Sequence, residues 1–146
     1  NLLQKHTHLI WQPPTYPIIP VITELLIEWQ TSRHTILVVT PNNHQLHQHL
    51  TSLGFKATFS SPKPNKKTIK NNIVVSSPST VCCDLLRNYA FTRVLVESAH
   101  SLSEVSILSS LVKDCQEAWL IGDPYLPKMP IFSTYSQKKG LNISLF

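Results

Sequence analysis

A proline-rich turn, residues 12–19, follows a short apolar run at 9–11 and leads into a segment with helical spacing. In α/β domains, a turn between a strand and a helix is where a phosphate-binding loop occurs. Such a loop needs glycines so that backbone N–H groups can surround the phosphates, a lysine for the β and γ oxygens, and a Ser or Thr hydroxyl for magnesium. This turn has none of the three at the required positions, so it cannot bind phosphate in that way.

Polar residues follow four other apolar segments, at 40–43, 76–79, 97–100 and 122–124. Ligands of α/β domains lie at the carboxyl ends of the strands, so these residues are the functional candidates. Asn42 and Asn43 could donate to the phosphate oxygens of a nucleic acid, a contact that positions the strand without reading its sequence. An ordinary Pro-Asn-Asn turn is the simpler interpretation of the same residues.

Taken together, these segments resemble the motifs of superfamily 1 RNA helicases of the Upf1-like group, most nearly the Armitage-type helicases of small-RNA silencing. The phosphate-binding motif of that family reads G-P-P-G-T-G-K-T, and Pro13 and Pro14 match it without a gap. At the other positions Gln12, Thr15 and Pro17 replace the three glycines, Ile18 replaces the lysine and Ile19 replaces the hydroxyl residue. The resemblance therefore implies a vestigial nucleotide site.

The resemblance continues at two further strand ends. Residues 40–43 are similar to the family's A-P-S-N turn, which contacts the nucleic-acid backbone. Residues 94–100 resemble the Walker B motif, with Glu97 in place of the Asp that holds the magnesium shell and Ser98 in place of the Glu that activates water. A hydroxyl cannot act as a general base at neutral pH without a partner of its own. The resemblance thus implies that hydrolysis is lost at two places.

The strongest single match is Leu-Ile-Gly-Asp-Pro at 120–124, which is similar to the family's L-x-G-D-P-x-Q-L motif and retains Asp123. Leu126 stands in place of the Gln that senses the γ-phosphate. Residues 137–146 resemble a glycine-leucine signature that follows this motif in Armitage-type helicases. The resemblance covers nearly the whole chain and corresponds to the first RecA-like domain only.

The order of apolar segments predicts the fold class independently of these motifs. Predicted strands lie at 9–11, 35–40, 55–59, 73–76, 93–96 and 118–121, and predicted helices at 18–30, 44–53, 79–87 and 102–112. Alternating strands and helices, with strands apolar on both faces, indicate an α/β domain with a mostly parallel sheet. With the resemblance, this predicts one three-layer RecA-like P-loop NTPase fold over residues 1–146. We expect Trp11, Trp29 and Trp119 to lie in its core.

Composition favours a binding domain of low ionic character. Of 146 residues, 42% are apolar and 14% charged, and the net charge is +5. The segment 60–72 carries two prolines and four lysines and predicts an exposed basic loop; the lysines are Lys63, Lys66, Lys67 and Lys70. No apolar run approaches the roughly 20 residues of a membrane span. The three cysteines form neither a disulfide framework nor a metal motif. We expect an intracellular protein, cytoplasmic or nuclear, and a fragment of a longer chain.

Three functions are compatible with these observations. The first is a catalytically inactive helicase-like scaffold for protein partners in an RNA-silencing or RNA-processing complex, with no cofactor, no metal and no small-molecule substrate. The second is ATP-independent RNA binding through Asn42, Asn43 and the basic loop. The third is a residual ATPase in which Thr15, Glu97 and Asp123 still form a nucleotide site. His44, His47 and His49 put two imidazoles one helical turn apart, but a metal site there is less favoured than a solvated helix face, because no third ligand follows.

Overall fold

The computed structural model describes residues 6–59, 71–81, 86, 89–111, 115–127, 130–141, 143–144 and 146. The strands are β1 (His6–Trp11), β2 (Ile36–Val39), β3 (Ala57–Phe59), β4 (Ile73–Ser76), β5 (Arg93–Val96) and β6 (Glu117–Gly122). The helices are α1 (Ile19–Thr31), α2 (Asn43–Ser52), α3 (Glu104–Ser110) and α4 (Thr134–Lys138), with a 3-10 turn at Ala99–Ser101. The six strands form one sheet in the order β1-β6-β5-β2-β4-β3. Every neighbouring pair is parallel.

Two apolar clusters cover opposite faces of this sheet. Successive side chains of a strand point to opposite faces, so neighbouring residues of β2 belong to different clusters. One cluster joins Ile36 and Val38 to Leu26 of α1 and Leu50 of α2. The other joins Leu37 and Val39 to Ala99 of the 3-10 turn, Ile107 of α3 and Leu102 between these two elements. Helices on both faces of a parallel sheet make three layers, which confirms the predicted fold class.

The helix ends follow the local sequence. α1 tolerates Pro20 because it occupies the first turn, where a backbone N–H has no partner within the helix. α2 ends at Ser52, close to the predicted end at residue 53. Gly54 follows the helix with a φ of 88° and lets the N–H of Phe55 reach the carbonyl of Leu50 at 3.0 Å. Asn43 precedes the helix predicted at 44–53 and would be expected to cap it. In the structure Asn43 is already helical, and the capping position falls on Asn42, which makes no side-chain cap bond.

The first strand differs from its prediction. A buried strand was expected at 9–11, but Leu9 is 61% exposed and Trp11 is 59% exposed. Among the described strands β1 pairs only with β6, so it lies at the edge of the sheet. Trp29 is buried as predicted and Trp119 is half-buried, whereas the expectation of a buried Trp11 is wrong.

The helix predicted at 102–112 is shorter in the structure. Ser103 caps it by accepting the N–H of Ser106, so Leu102 precedes the helix in an extended conformation. The helix predicted at 79–87 lies largely outside the described residues, as do the four lysines of the basic loop. Within the described part of the chain, no helix is long and apolar enough to cross a membrane.

Candidate functional site at the carboxyl edge of the sheet

The carboxyl ends of β1, β6, β5 and β2 lie side by side. The register pairs Trp11 with Gly122, Leu120 with Val96, and Val96 with Val39. The segments that follow these strands therefore meet along one edge, which we call the carboxyl edge. It brings together the β1–α1 turn, Glu97, Asp123 and Thr40, while the predicted lysines fall outside the described residues.

The β1–α1 turn is held by its own backbone bonds. The N–H of Gln12 donates to the carbonyl of Gly122 at 2.8 Å, and the N–H of Tyr16 donates to the carbonyl of Pro13 at 2.9 Å. Ile18 takes a helical conformation at the start of α1 and packs against the cluster on the α1 side of the sheet. Four of the nine residues at 12–20 are prolines and have no N–H to donate. The turn thus has neither the free donors nor the cation of a phosphate-binding loop.

Glu97 is bound by a neighbouring strand end. The hydroxyl of Thr40, which has no exposed surface, donates to Glu97 Oε2. The same hydroxyl oxygen accepts the N–H of Asn42 at 3.0 Å, and the Glu97 N–H donates to the carbonyl of Val39 at 2.8 Å. Glu97 therefore fixes the turn after β2. Asn42 is exposed and Asn43 is half-buried beside it.

Ser98 has an unusual backbone for its type. Its φ of 55° and ψ of 39° place it in the left-handed region, where a side chain is strained. The Ser98 carbonyl accepts both the N–H and the hydroxyl of Ser101, at 2.9 and 2.8 Å. These bonds close the 3-10 turn that carries His100.

Gly122 and Asp123 are packed against His100. The N–H of Asp123 donates to His100 Nδ1 at 3.1 Å, so the ring proton of the neutral imidazole is on Nε2. A Cβ on Gly122 would lie 3.0 Å from both the backbone N and Nδ1 of His100. This contact explains why glycine is needed as the last residue of β6. The local sequence shows no sign of it, because 22 positions separate the two residues.

Asp123 is 3% exposed and organises two aromatic rings. Its Oδ1 accepts the indole N–H of Trp11 at 3.3 Å and the backbone N–H of Tyr125 at 2.9 Å. The two rings meet edge to face, with centroids 6.1 Å apart and planes at 71°. Trp11 is 59% exposed and Tyr125 84%. The sequence analysis did not identify this pair. Assigning β1 to the edge of the sheet would have predicted the exposure of Trp11.

Charge is distributed unevenly over the described residues. Arg33, Lys56 and Arg93 precede or begin strands, so they lie towards the amino ends of the sheet. The other two described cations, Lys138 and Lys139, end or follow α4. The carboxyl edge presents the carboxylates of Glu97 and Asp123. A nucleotide enzyme concentrates positive charge at this edge of the sheet. In the described part of this chain the same edge carries the two acidic side chains instead.

Grooves among the described residues also occur away from the carboxyl edge. A shallow groove of about 270 Å³ is lined by Ile27 and Thr31 near the end of α1 and by Leu53 and Phe55 after α2. The described residues contain no group of three or more His, Cys, Asp or Glu that could hold a metal ion. His47 instead contacts the carbonyl of Ala57 at 3.2 Å and the ring of Phe59.

Comparison with known proteins supports the fold. No family model matches the sequence, and no curated protein matches it. A solved structure, the C-terminal domain of a possible DNA helicase from Lactobacillus plantarum WCFS1, is similar over 82% of this chain and 74% of its own. The TM-score is 0.52 and the sequence identity 16%. At that identity the likeness shows the fold alone. This chain has a helicase-like α/β fold of the RecA type.

Proposed function

We propose that this domain is a degenerate helicase domain that neither binds nor hydrolyses ATP and serves as a protein-interaction module in an RNA-silencing or RNA-processing assembly. The observation that carries the proposal is the composition of the β1–α1 turn. Its prolines remove backbone donors, and Ile18 packs into the apolar cluster at the position of the phosphate-binding lysine.

The energetics oppose a triphosphate at this edge. A phosphate group that leaves water without replacement hydrogen bonds or a counter-charge costs several kcal/mol. Here the nearest acidic side chains at the strand ends, Glu97 and Asp123, would add repulsion. Glu97 is also engaged by Thr40, and the water-activating acid is replaced by Ser98. Each of these features acts against binding or hydrolysis independently of the others.

Exposed apolar side chains support a protein partner. Leu9, Trp11, Tyr16 and Tyr125 are each more than half exposed, and all belong to β1 or to the segments that follow β1 and β6. Among them, the rings of Trp11 and Tyr125 contact each other. Adjacent exposed apolar side chains favour an interaction surface. The assignment to an RNA-silencing or RNA-processing complex rests on the resemblance to Armitage-type helicases and is an analogy.

The test is a titration of the chain with a fluorescent ATP analogue and Mg²⁺, with thermal unfolding measured in parallel. We expect no saturable signal and no rise in Tm at millimolar nucleotide. A ligand present at about 100 times its Kd would stabilise the fold by about 2.7 kcal/mol, which such a measurement detects easily. An active helicase domain under the same conditions is the positive control. Saturable, Mg²⁺-dependent binding would favour a residual nucleotide site on Thr15, Glu97 and Asp123.

ATP-independent RNA binding is the second candidate, favoured by the exposure of Asn42 next to the start of α2. If the basic loop also contacts RNA, four phosphate contacts predict that log K falls with log salt with a slope of about −3 for a single strand. Changing Lys63, Lys66, Lys67 and Lys70 to Gln should then abolish that slope, whereas changing Lys138 and Lys139 should not. RNA affinity that does not respond to salt or to the loop variant would exclude this candidate.

A further inference from the structure

Trp11 and Tyr125 form a surface that we call the aromatic corner. Their rings lie 6.1 Å apart at 71°, so their exposed faces meet at an angle rather than in one plane. Both residues are held by one atom, Asp123 Oδ1, which accepts the Trp11 indole N–H and the Tyr125 backbone N–H. The corner is therefore organised before any ligand arrives, which reduces the entropy cost of binding.

The carboxylate behind the corner has no counter-charge among the described residues. Asp123 is 3% exposed, and the ion pairs of the described chain both involve Glu117 instead, with His8 and Arg93. A carboxylate that is not paired with a cation attracts a cation supplied from outside. The indole N–H bond to the carboxylate also polarises the Trp11 ring and makes the electrostatic potential at its face more negative, which strengthens its attraction for cations.

We propose that the aromatic corner binds an arginine side chain of a protein partner. A planar guanidinium stacks on an aromatic ring, is less strongly hydrated than an ammonium group, and would be drawn by the negative charge of Asp123. A nucleobase could stack on the same rings, but its phosphates would approach the carboxylates of Glu97 and Asp123. The inference rests on the proposed interaction role of the carboxyl edge and names the chemistry of the partner.

The test uses a fluorescein-labelled Gly-Arg-Gly-Arg-Gly peptide, its counterpart with neutral citrulline in place of arginine, and its lysine counterpart. Binding to the 146-residue chain is followed by fluorescence anisotropy and by quenching of tryptophan emission. We expect the arginine peptide to bind about tenfold more tightly than the citrulline peptide, and more tightly than the lysine peptide.

Variants locate the site. Tyr125→Ala should weaken the binding of the arginine peptide about fivefold or more and leave the binding of the citrulline peptide unchanged. Tyr135→Ala is the matched control, because Tyr135 is 69% exposed and lies on α4. Trp11→Phe keeps a ring but removes the indole N–H, so it should weaken the arginine peptide less than Tyr125→Ala does. Circular dichroism of each variant checks that the fold is intact.

The inference would be overturned if the arginine peptide did not bind at millimolar concentration, or if it bound no more tightly than the citrulline peptide. Equal effects of Tyr125→Ala and Tyr135→Ala would also overturn it. Tight binding of a uridine 12-mer that depends on Tyr125, without arginine-peptide binding, would assign the corner to nucleic acid and would also overturn it. The ATP titration is independent of all of these results. If the aromatic corner does not bind arginine, the proposed loss of nucleotide binding is unaffected. If the chain binds nucleotide, only the proposed function is refuted.

Discussion

Gly122→Ala should destabilise the domain strongly although it adds a single methyl group. That methyl carbon would lie 3.0 Å from the backbone N and from Nδ1 of His100, and 3.4 Å from the backbone N of Ala99. These neighbours are mostly backbone atoms of the 3-10 turn, which cannot move aside as a flexible side chain does. Relief of the clash must shift the turn or β6, and either movement breaks the bond from the Asp123 N–H to His100.

The magnitude follows from two contributions. Overpacking of this kind costs about 1–3 kcal/mol. The lost hydrogen bond to His100 adds about 1 kcal/mol. We expect the free energy of unfolding to fall by about 2–4 kcal/mol in total. This is a large part of the roughly 5–15 kcal/mol that stabilises a typical domain.

Urea unfolding followed by tryptophan fluorescence measures this loss. The midpoint should fall with little change in the m-value, because the surface exposed on unfolding is the same. Gly54→Ala is the matched control: Gly54 has a φ of 88° but nothing within 4 Å of an added Cβ. Gly54→Ala should lower the free energy of unfolding only by the cost of the left-handed backbone, about 1–2 kcal/mol. A Gly122→Ala loss no larger than that of Gly54→Ala would refute the reasoning. His100→Ala in the Gly122→Ala background should relieve the contact with the ring and leave the contact with the backbone.

Further predictions concern the network around the sheet. Thr40→Val should lower the free energy of unfolding by about 2–3 kcal/mol, because it removes the donor to Glu97. Thr40→Ser keeps the hydroxyl and should lower it less, which a comparison of urea midpoints will show. Arg33→Gly should raise the free energy of unfolding by about 0.5–1 kcal/mol, because Arg33 follows α1 with a φ of 58° that favours glycine. An unchanged or lower urea midpoint would contradict this. Burial and the charge of Arg93 lower the pKa of His34 below its usual 6.5. The contribution of neutral His34 to the free energy of unfolding is therefore fully present above pH 6.5 and declines as the pH falls towards the folded-state pKa. The Tm should fall less over this pH range in His34→Gln than in the unchanged protein.

Much of the fold could be predicted because its determinants are local. Strand β2 is apolar at every position, and β4 and β5 are apolar at all positions but Ser76 and Arg93. Their burial on both faces indicates a parallel sheet between two helical layers. The end of α2 at Gly54 follows from the conformational freedom of one residue. The segments at the carboxyl edge were also predictable, since parallel strands bring their carboxyl ends to one side of the sheet. The roles assigned to these residues in function stay predictions.

By itself, the amino-acid sequence determined the alternation of strands and helices and the absence of glycine, lysine and hydroxyl residues from the required positions of the β1–α1 turn. Only the tertiary structure placed β1 at the edge of the described sheet, exposed Trp11 beside Tyr125, and packed His100 against Gly122. The physical reason is that strand order and close packing depend on contacts between residues far apart in the chain. Hydrophobic periodicity reports which side chains avoid water, but it does not report which strand will lack a neighbour.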